Sequence, residues 1–206
     1  MKTIIFDFDG TLADSKTVFC DAWNEFAPTF NYKKAGLSDI QATNHMTLNE
    51  RARHFHFPMH KLPIILPKIY RYFYEHIDEI KLFDGMKEVI ESLADNGYTI
   101  YILSSNKKEN IERVLSLHNV TVVRKVLSSS KLFGKDRVLK KLLKEEGLAP
   151  EQIVYIGDEL RDLEACRKVN ITFGWVSWGL DGEAMMDRLT PSYKFSTPQQ
   201  ITEQLI

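Results

Sequence analysis

Apolar residues occur along the chain in short continuous runs, and each run ends in small or polar residues. Five runs are rich in Ile, Val and Tyr, which is typical of strands that are covered on both faces. They are TIIFDF (3–8), TIYILSS (99–105), VVRKVLS (122–128), IVYIGD (153–158) and TFGWVSW (172–178). Between them the apolar positions take a helical spacing. This alternation predicts an α/β fold with a doubly wound parallel sheet.

The predicted helices end where the sequence offers residues that favour helix ends. One has apolar positions at 86, 89, 90 and 93 and stops near Gly97, and a second has them at 138, 139, 142 and 143 and stops at Gly147. A shorter helix is predicted over 159–169. The last begins with Thr197 as its cap and Pro198 at its first position, after a short edge strand in PSYKFS.

Residues 15–82 interrupt the alternation. They are helix-like and aromatic, as in FCDAWNEFAPTF, and their prolines at 28, 58, 63 and 67 are expected to mark turns. A segment of this length between the first strand and the first crossover helix predicts an inserted helical module. We therefore expect an α/β core over 1–14 and 83–206, with a small helical domain over 15–82.

Composition and charge narrow the range of partners. The 206 residues carry a net charge of -1, so no general basic field attracts nucleic acid or anionic lipid. Cys20 and Cys166 are far apart in sequence, which argues against a zinc site or a disulfide framework. The first apolar run is too short and too acidic for a signal peptide, so we expect a cytoplasmic protein. The oligomeric state stays open, and a monomer is compatible with the sequence.

Polar residues follow four of the predicted strands. Asp7 and Asp9 end the first, Ser105 and Asn106 end the second, and Asp158 ends the fourth. A lysine, either Lys131 or Lys135, follows the third. The carboxyl ends of parallel strands meet at the ligand crevice of such a sheet, so these side chains are expected to lie together. Gly10 then allows a sharp turn after the two aspartates.

This set of residues predicts phosphoryl transfer. Three carboxylates call for a cation, and oxygen ligands with room for water and phosphate suit Mg²⁺ better than Zn²⁺. One aspartate can attack phosphorus and a second can carry the proton of the leaving oxygen. A lysine and a hydroxyl would neutralise and orient the phosphoryl oxygens.

The sequence resembles the haloacid dehalogenase superfamily of phosphohydrolases, most closely its phosphoglycolate-phosphatase-like branch. The family's DxDGT motif is similar to DFDGTLADS, its strand that ends in Ser or Thr to IYILSSN, and its GDxxxD motif to IVYIGDELRD. A lysine lies between the last two motifs, and the match extends to about residue 180. The resemblance implies a Rossmann-like sheet with a helical cap inserted between the first two motifs.

The resemblance also implies roles for individual residues. Asp7 would be the nucleophile and Asp9 the general acid/base. Mg²⁺ would be bound by Asp7, the main-chain carbonyl of Asp9 and Asp158, with support from Asp162. Ser105 would hydrogen-bond the phosphoryl group, and Ser104 is the less favoured alternative, because strand alternation would turn it away if Ser105 faces the site. Gly10, Thr11 and Asn106 would contact the substrate, with Asn106 pointing towards the cap.

The motif lysine has two candidates. Lys135 stands just before a helix in LFGKDRVLKKLL, as in the GKP-like context of related proteins, although Asp136 replaces the proline. Lys131 in SSSKLFGK is the competitor. We favour Lys135.

The function expected from the resemblance is Mg²⁺-dependent hydrolysis of a small phosphorylated metabolite. A sugar phosphomutase of the β-phosphoglucomutase type has the same motifs, and a metal-binding domain that contacts a partner through its cap is a non-enzymatic alternative. A dehalogenase needs no acid such as Asp9. Within the cap, ATNHMTL does not clearly reproduce the family's LRG-like stretch. The histidines of NHMTLNERARHFHFPMHK are expected to be structural or to contact substrate, with His54 and His56 on different helix faces.

Overall fold

The computed structural model describes residues 2–129, 134–187 and 189–206. Within these ranges eight strands are present, and six of them form one sheet. The strands are β1 (Lys2–Phe6), β2 (Ala13–Asp14), β3 (Lys81–Leu82), β4 (Tyr98–Ser104), β5 (Val123–Ser128), β6 (Ile153–Gly157), β7 (Thr172–Val176) and β8 (Tyr193–Phe195).

Strand β1 lies inside the sheet, whose order is β5–β4–β1–β6–β7–β8. The chain places β4 and β5 on one side of β1 and then crosses to place β6, β7 and β8 on the other. All neighbouring pairs of this sheet are parallel. The winding reverses at β1, so the carboxyl end of β1 is where a doubly wound sheet forms its ligand crevice.

Helices cover both faces of the sheet, and four of them precede β3. The helices are α1 (Lys16–Phe30), α2 (Leu37–Ala42), α3 (Leu48–His54), α4 (Leu62–Glu75), α5 (Met86–Asp95), α6 (Lys108–Leu117), α7 (Lys135–Glu146), α8 (Leu160–Arg167), α9 (Glu183–Met186) and α10 (Gln199–Leu205). Single 3₁₀ turns occupy Met59–Lys61, Ile77–Glu79 and Pro150–Gln152. The antiparallel pair β2–β3 joins the two ends of the segment that holds α1 to α4.

Two apolar cores lie on opposite faces of the sheet because side chains alternate along each strand. Ile4 and Phe6 of β1 face one core, and Ile5 faces the other. Ile69 and Phe73 of α4 belong to the first core, so the inserted helices share their packing with the sheet. The predicted α/β class with a doubly wound parallel sheet and an additional helical segment is confirmed.

The prediction of turns at the prolines is wrong in two places. Pro28 lies in the last turn of α1 and Pro67 lies inside α4. Each proline removes one main-chain donor, but both helices bury an apolar face, and this packing outweighs the local preference. Pro58 directly precedes the 3₁₀ turn Met59–Lys61, and Pro63 lies in the first turn of α4.

Two smaller expectations about helix ends also change. Helix α10 begins at Gln199 with Pro198 at its N-cap, so the side chain of Thr197 does not cap it. His56 lies beyond the end of α3 with φ at 54°, so His54 and His56 do not share a helix. In the described residues, no helix is both long and apolar enough to cross a membrane.

Replacing a core leucine should cost far more stability than replacing an exposed one. Leu93 of α5 is fully buried, whereas Leu117 at the end of α6 is about half exposed. Leu93→Ala should lower the free energy of unfolding by about 2–5 kcal/mol, measured by urea denaturation. The matched Leu117→Ala change should cost less than about 1 kcal/mol. Equal losses would contradict this description of the core.

Candidate active site

Asp7 directly follows β1 and continues its hydrogen bonding. Its main-chain N–H donates to the carbonyl of Ile156 in β6 at 2.8 Å, which fixes the backbone at the crevice. Its Oδ1 accepts hydrogen bonds from the N–H of Phe8 at 2.8 Å and from Lys135 Nζ at 2.9 Å. The side chain is buried. Asp7 is therefore a fixed carboxylate with a permanent positive partner.

Asp9 lies two residues later with a different set of partners. Its carboxylate accepts from Ser15 Oγ at 2.8 Å, from Asn106 Nδ2 at 3.1 Å and from Ser104 Oγ at 3.4 Å. Burial raises the pKa of Asp9 to about 6, although Ser15 lowers it in part. Neutral donors thus hold this carboxyl group, and it is easier to protonate than an ordinary aspartate.

Gly10 and Thr11 position the carboxylate of Asp158. Gly10 has φ at 79°, and a Cβ there would lie 2.5 Å from Asp158 Oδ2, so only glycine suits this turn. The hydroxyl of Thr11 donates to Asp158 Oδ1 at 2.9 Å. The main-chain N–H groups of Gly10 and Thr11 donate to Ala13 and Phe8. Gly10 lines the cavity. The hydrogen bonds of Gly10 and Thr11 are made within the protein, and their predicted contacts with substrate stay a prediction.

Asp158 follows β6 and is enclosed by the loop after β7. Its Oδ2 accepts from the N–H of Leu180 at 2.7 Å. A Cβ at Gly179 would lie 2.0 Å from Asp158 Cβ, so the absence of a side chain lets this loop approach. Burial is the main cause that raises the pKa of Asp158 well above its ordinary value, and nearby acidic groups add to it. No pattern in the sequence indicates the contact between Gly179 and Asp158.

Lys135, the first residue of α7, reaches into the same site. Its Nζ lies 2.9 Å from Asp7 Oδ1 and 2.6 Å from Asp162 Oδ1, and it donates to the hydroxyl of Tyr155 at 2.9 Å. Burial lowers the pKa of Lys135, but the charges of Asp162 and Asp7 raise it by more, so the ammonium stays charged. Lys131, the other candidate for the motif lysine, lies outside the described residues.

Asp7, Asp158 and Asp162 form a buried group with the donor set of a cation site. One carboxylate oxygen from each lies within 4.8 Å of the others. Asp162 Oδ2 is buried and has no hydrogen-bond partner among the described residues. Three carboxylates with one ammonium leave excess negative charge in a buried place, which is costly without another cation. The oxygen ligands fit a hard divalent cation.

A cavity of about 170 Å³ opens above these carboxylates. Of the residues that the sequence predicts for the site, Asp7, Asp9, Gly10, Ser105 and Asp158 line it. The others lie behind this wall: Thr11, Asn106 and Lys135 bind residues of the wall, and Asp162 binds Lys135. The structure brings all nine together at the carboxyl ends of β1, β4 and β6.

The end of β4 differs from the expected arrangement. The prediction that Ser104 turns away is wrong: it lines the cavity beside Ser105, and its Oγ contacts Asp9. Strand β4 ends at Ser104, so strand alternation no longer governs the next residue. Asn106 contacts Asp9 directly, and its Oδ1 accepts from Asn110 Nδ2, which also donates to the carbonyl of Tyr70 in α4.

Several residues of the site had no assigned role in the sequence. Ser15 donates to Asp9, and Tyr155 connects Lys135 to the carbonyl of Leu103. Arg161 Nη1 donates to Ser105 Oγ at 2.8 Å, and its Nε donates to Glu159 Oε2 at 2.8 Å. Ser15 lies in DFDGTLADS, and Glu159 and Arg161 lie in GDELRD. The motifs therefore include these residues but do not indicate what they contact.

The histidine-rich segment does not form a comparable site. Among the described residues, the one group of three or more His, Cys, Asp or Glu side chains close enough to share an ion is Asp7, Asp158 and Asp162. His54 packs edge-on against Phe55 at a centroid distance of 4.9 Å. His54 is exposed, and the structural or substrate-binding role of the histidines stays a prediction.

Comparison with known proteins places this site in a recognised family. Residues 4–176 match the family model of haloacid dehalogenase-like hydrolases. The chain is 28% identical over 204 residues to a phosphoglycolate phosphatase of Synechococcus elongatus, covering 98% of this chain and 96% of that protein. It is 22% identical to a pyrophosphatase of Bacillus cereus over 94% of this chain and 91% of that protein. A crystal structure of a predicted phosphatase from Clostridium acetobutylicum superposes with a TM-score of 0.85 at 18% identity, over 99% and 97% of the two chains.

A side chain at position 179 should disturb cation binding through Asp158. In Gly179→Ala the new methyl group would overlap Asp158, so the carboxylate must move. We expect Mn²⁺ affinity, measured by electron paramagnetic resonance, to fall at least about tenfold. Gly36→Ala is the matched control, because its methyl group would meet nothing closer than 3.6 Å. Unchanged Mn²⁺ affinity in Gly179→Ala would contradict the place given to Asp158.

Proposed function

Because the chain belongs to the haloacid dehalogenase-like hydrolase family, we propose that it is a Mg²⁺-dependent phosphatase of a small phosphorylated metabolite. The observation that carries this proposal is the pair of carboxylates at one cavity wall. Asp7 is held by an ammonium group beside two further carboxylates, while Asp9 is held by neutral donors and has a raised pKa. One group suits attack and the other suits proton transfer.

In the first step the carboxylate of Asp7 attacks the phosphorus atom. The bond from phosphorus to the leaving oxygen breaks, and an aspartyl-phosphate forms on Asp7. The ammonium of Lys135 stays at Asp7 Oδ1 and offsets negative charge on the transferred group. Ser104 and Ser105 line the same cavity and are the hydroxyl groups available to orient phosphoryl oxygens.

Asp9 supplies the proton that the leaving oxygen needs. Burial raises the pKa of Asp9 to about 6, so this carboxyl group holds a proton more readily than an ordinary aspartate. Once the alcohol has left, the Asp9 carboxylate accepts a proton from the water that attacks the aspartyl-phosphate. Ser15, Ser104 and Asn106 hold its oxygens in place during both steps.

Asp7, Asp158 and Asp162, together with the main-chain carbonyl of Asp9, are the groups that we propose would hold Mg²⁺. The bound ion would supply positive charge that screens the carboxylates from the anionic phosphoryl group. Thr11 and the N–H of Leu180 fix Asp158 for this role, and Lys135 fixes Asp162.

We further propose that residues 15–82 act as a cap over this cavity and determine the choice of substrate. Residues of α1, α3 and α4 form the cavity wall opposite Asp7, among them Phe19, Leu48 and Tyr70. We also propose that the protein is cytoplasmic and that neither nucleic acid nor a membrane is its partner.

The roles of Asp7 and Asp9 predict different effects of two matched substitutions. Asp7→Asn should abolish the phosphoenzyme, because the amide is not a nucleophile. Asp9→Asn should still form it, but about 10²–10⁴-fold more slowly, because proton transfer is lost. Rapid acid quench with a ³²P-labelled alkyl phosphate, whose alkoxide leaving group needs the proton, measures both rates in the presence of Mg²⁺. Labelling of both variants at the wild-type rate would refute the division of roles.

The choice between the two lysines gives a second prediction. Lys135→Met should abolish phosphate release, because Asp7 and Asp162 would lose their shared ammonium partner. Lys131→Met is the matched control and should retain turnover. Circular dichroism of both variants separates loss of activity from loss of fold. Normal turnover in Lys135→Met would show that the motif lysine is assigned wrongly.

A further inference from the structure

A second cavity adjoins the one that contains Asp7. It measures about 150 Å³ and lies among the helices between β2 and β3. The two cavities share six wall residues: Phe19, Ile40, Leu48, Leu66, Ile69 and Leu180. The second cavity, which we call the cap cavity, therefore lies next to the first across these side chains, and none of the carboxylates of the site lines it. A leaving group attached to a phosphate at Asp7 would point towards it.

The wall of the cap cavity is formed mainly by aromatic and aliphatic side chains. Trp23 and Phe57 stack there at a centroid distance of 4.9 Å, and Phe55 meets Trp23 edge-on at 5.9 Å. Met59 and Leu62 complete this side. Such a surface recognises hydrocarbon, since it gains by removing apolar area from water and offers little to a hydroxyl or a charge.

The polar groups in the described part of this wall are already engaged. Arg51 Nη2 binds Asp181 Oδ1 at 2.6 Å and its Nε donates to the carbonyl of Thr43 at 3.0 Å. The hydroxyl of Thr43 donates to the carbonyl of Asp39 at 2.8 Å. Burial raises the pKa of the Cys20 thiol to about 11, so it stays neutral. A carboxylate or a sugar hydroxyl in this cavity would lose water without gaining a new partner.

We propose that the substrate is a phosphate monoester of an apolar alcohol, whose ring or branched alkyl group enters the cap cavity. This inference rests on the phosphatase activity proposed above and names its substrate class. An engineered cavity of about 150 Å³ with a similar wall accepts benzene, so the cap cavity has room for a group of about six carbon atoms. Phosphoglycolate, whose leaving group carries a carboxylate, matches this wall poorly.

The first test compares four esters with the Mg²⁺-loaded enzyme. Benzyl phosphate and 3-methylbutyl phosphate carry apolar groups, while phosphoglycolate and glycerol 3-phosphate carry polar ones. We expect kcat/KM for the better apolar ester to exceed that of phosphoglycolate at least about 100-fold, since each buried methylene contributes tenfold or more. The two apolar esters distinguish a ring from a branched chain as the preferred occupant.

The outcomes separate this inference from the proposed function. If phosphoglycolate or glycerol 3-phosphate is hydrolysed as well as the apolar esters, the substrate class is wrong and the phosphatase activity stands. If none of the four esters nor acetyl phosphate releases phosphate, the proposed function fails and the inference fails with it.

Filling the cavity provides a second test. Ala52 of α3 is buried in its wall, and Ala52→Leu should lower the ratio of kcat/KM for benzyl phosphate to that for phosphoglycolate at least tenfold. Ala149→Leu, at an exposed position before the 3₁₀ turn Pro150–Gln152, is the control and should leave the ratio unchanged. An unchanged ratio in a folded Ala52→Leu variant would overturn the proposal.

Product inhibition of the wild-type enzyme does not depend on how a variant folds. Benzyl alcohol should inhibit hydrolysis of 3-methylbutyl phosphate competitively, because both molecules place their apolar group in the cap cavity. Glycolate at the same concentration should not inhibit. Equal inhibition by both, or inhibition by glycolate alone, would show that the cavity does not select apolar leaving groups.

Discussion

The burial of three carboxylates around one ammonium group is the constraint on which the rest of this structure depends. Asp7, Asp158 and Asp162 lie together beneath the cavity, and Lys135 bridges the first and the last of them. Buried charges are tolerated only when partners offset them. The start of α7 supplies such a partner in Lys135. The turn at Gly10 and the loop after β7 make room for Asp158, because a Cβ in either place would overlap its side chain.

The charged groups and the apolar groups of the cavity come from different parts of the molecule. The sheet places the charged groups at the ends of its strands, where β1 pairs with β4 on one side and with β6 on the other. The helices between β2 and β3 contribute an almost entirely apolar wall on the other side of the cavity. In the proposed reaction a phosphoryl group is thus met by charge, and the rest of the substrate by hydrocarbon. The choice of substrate can therefore change through the helices without disturbing the carboxylates.

Much of this arrangement could be predicted because it follows from local patterns. The apolar runs that lead to Asp7 and Asp158 predicted the strands β1 and β6, and parallel strands bring their carboxyl ends together. Contacts set by tertiary packing could not be predicted. Ser104 and Ser105 both line the cavity because β4 ends at Ser104 and alternation stops there, and Pro67 lies within α4 because its helix packs against the core. The approach of Gly179 to Asp158 joins residues whose sequence spacing carries no signal.

The most direct test of this account is the melting temperature (Tm) of the protein as a function of Mg²⁺ concentration. If buried negative charge is the governing constraint, a divalent cation binds the folded state alone, and Tm should rise steadily with the logarithm of Mg²⁺ above its dissociation constant. The rise should disappear in Asp158→Asn and persist in Asp95→Asn, which alters an exposed aspartate at the end of α5. A Tm that does not change at millimolar Mg²⁺ would contradict the account.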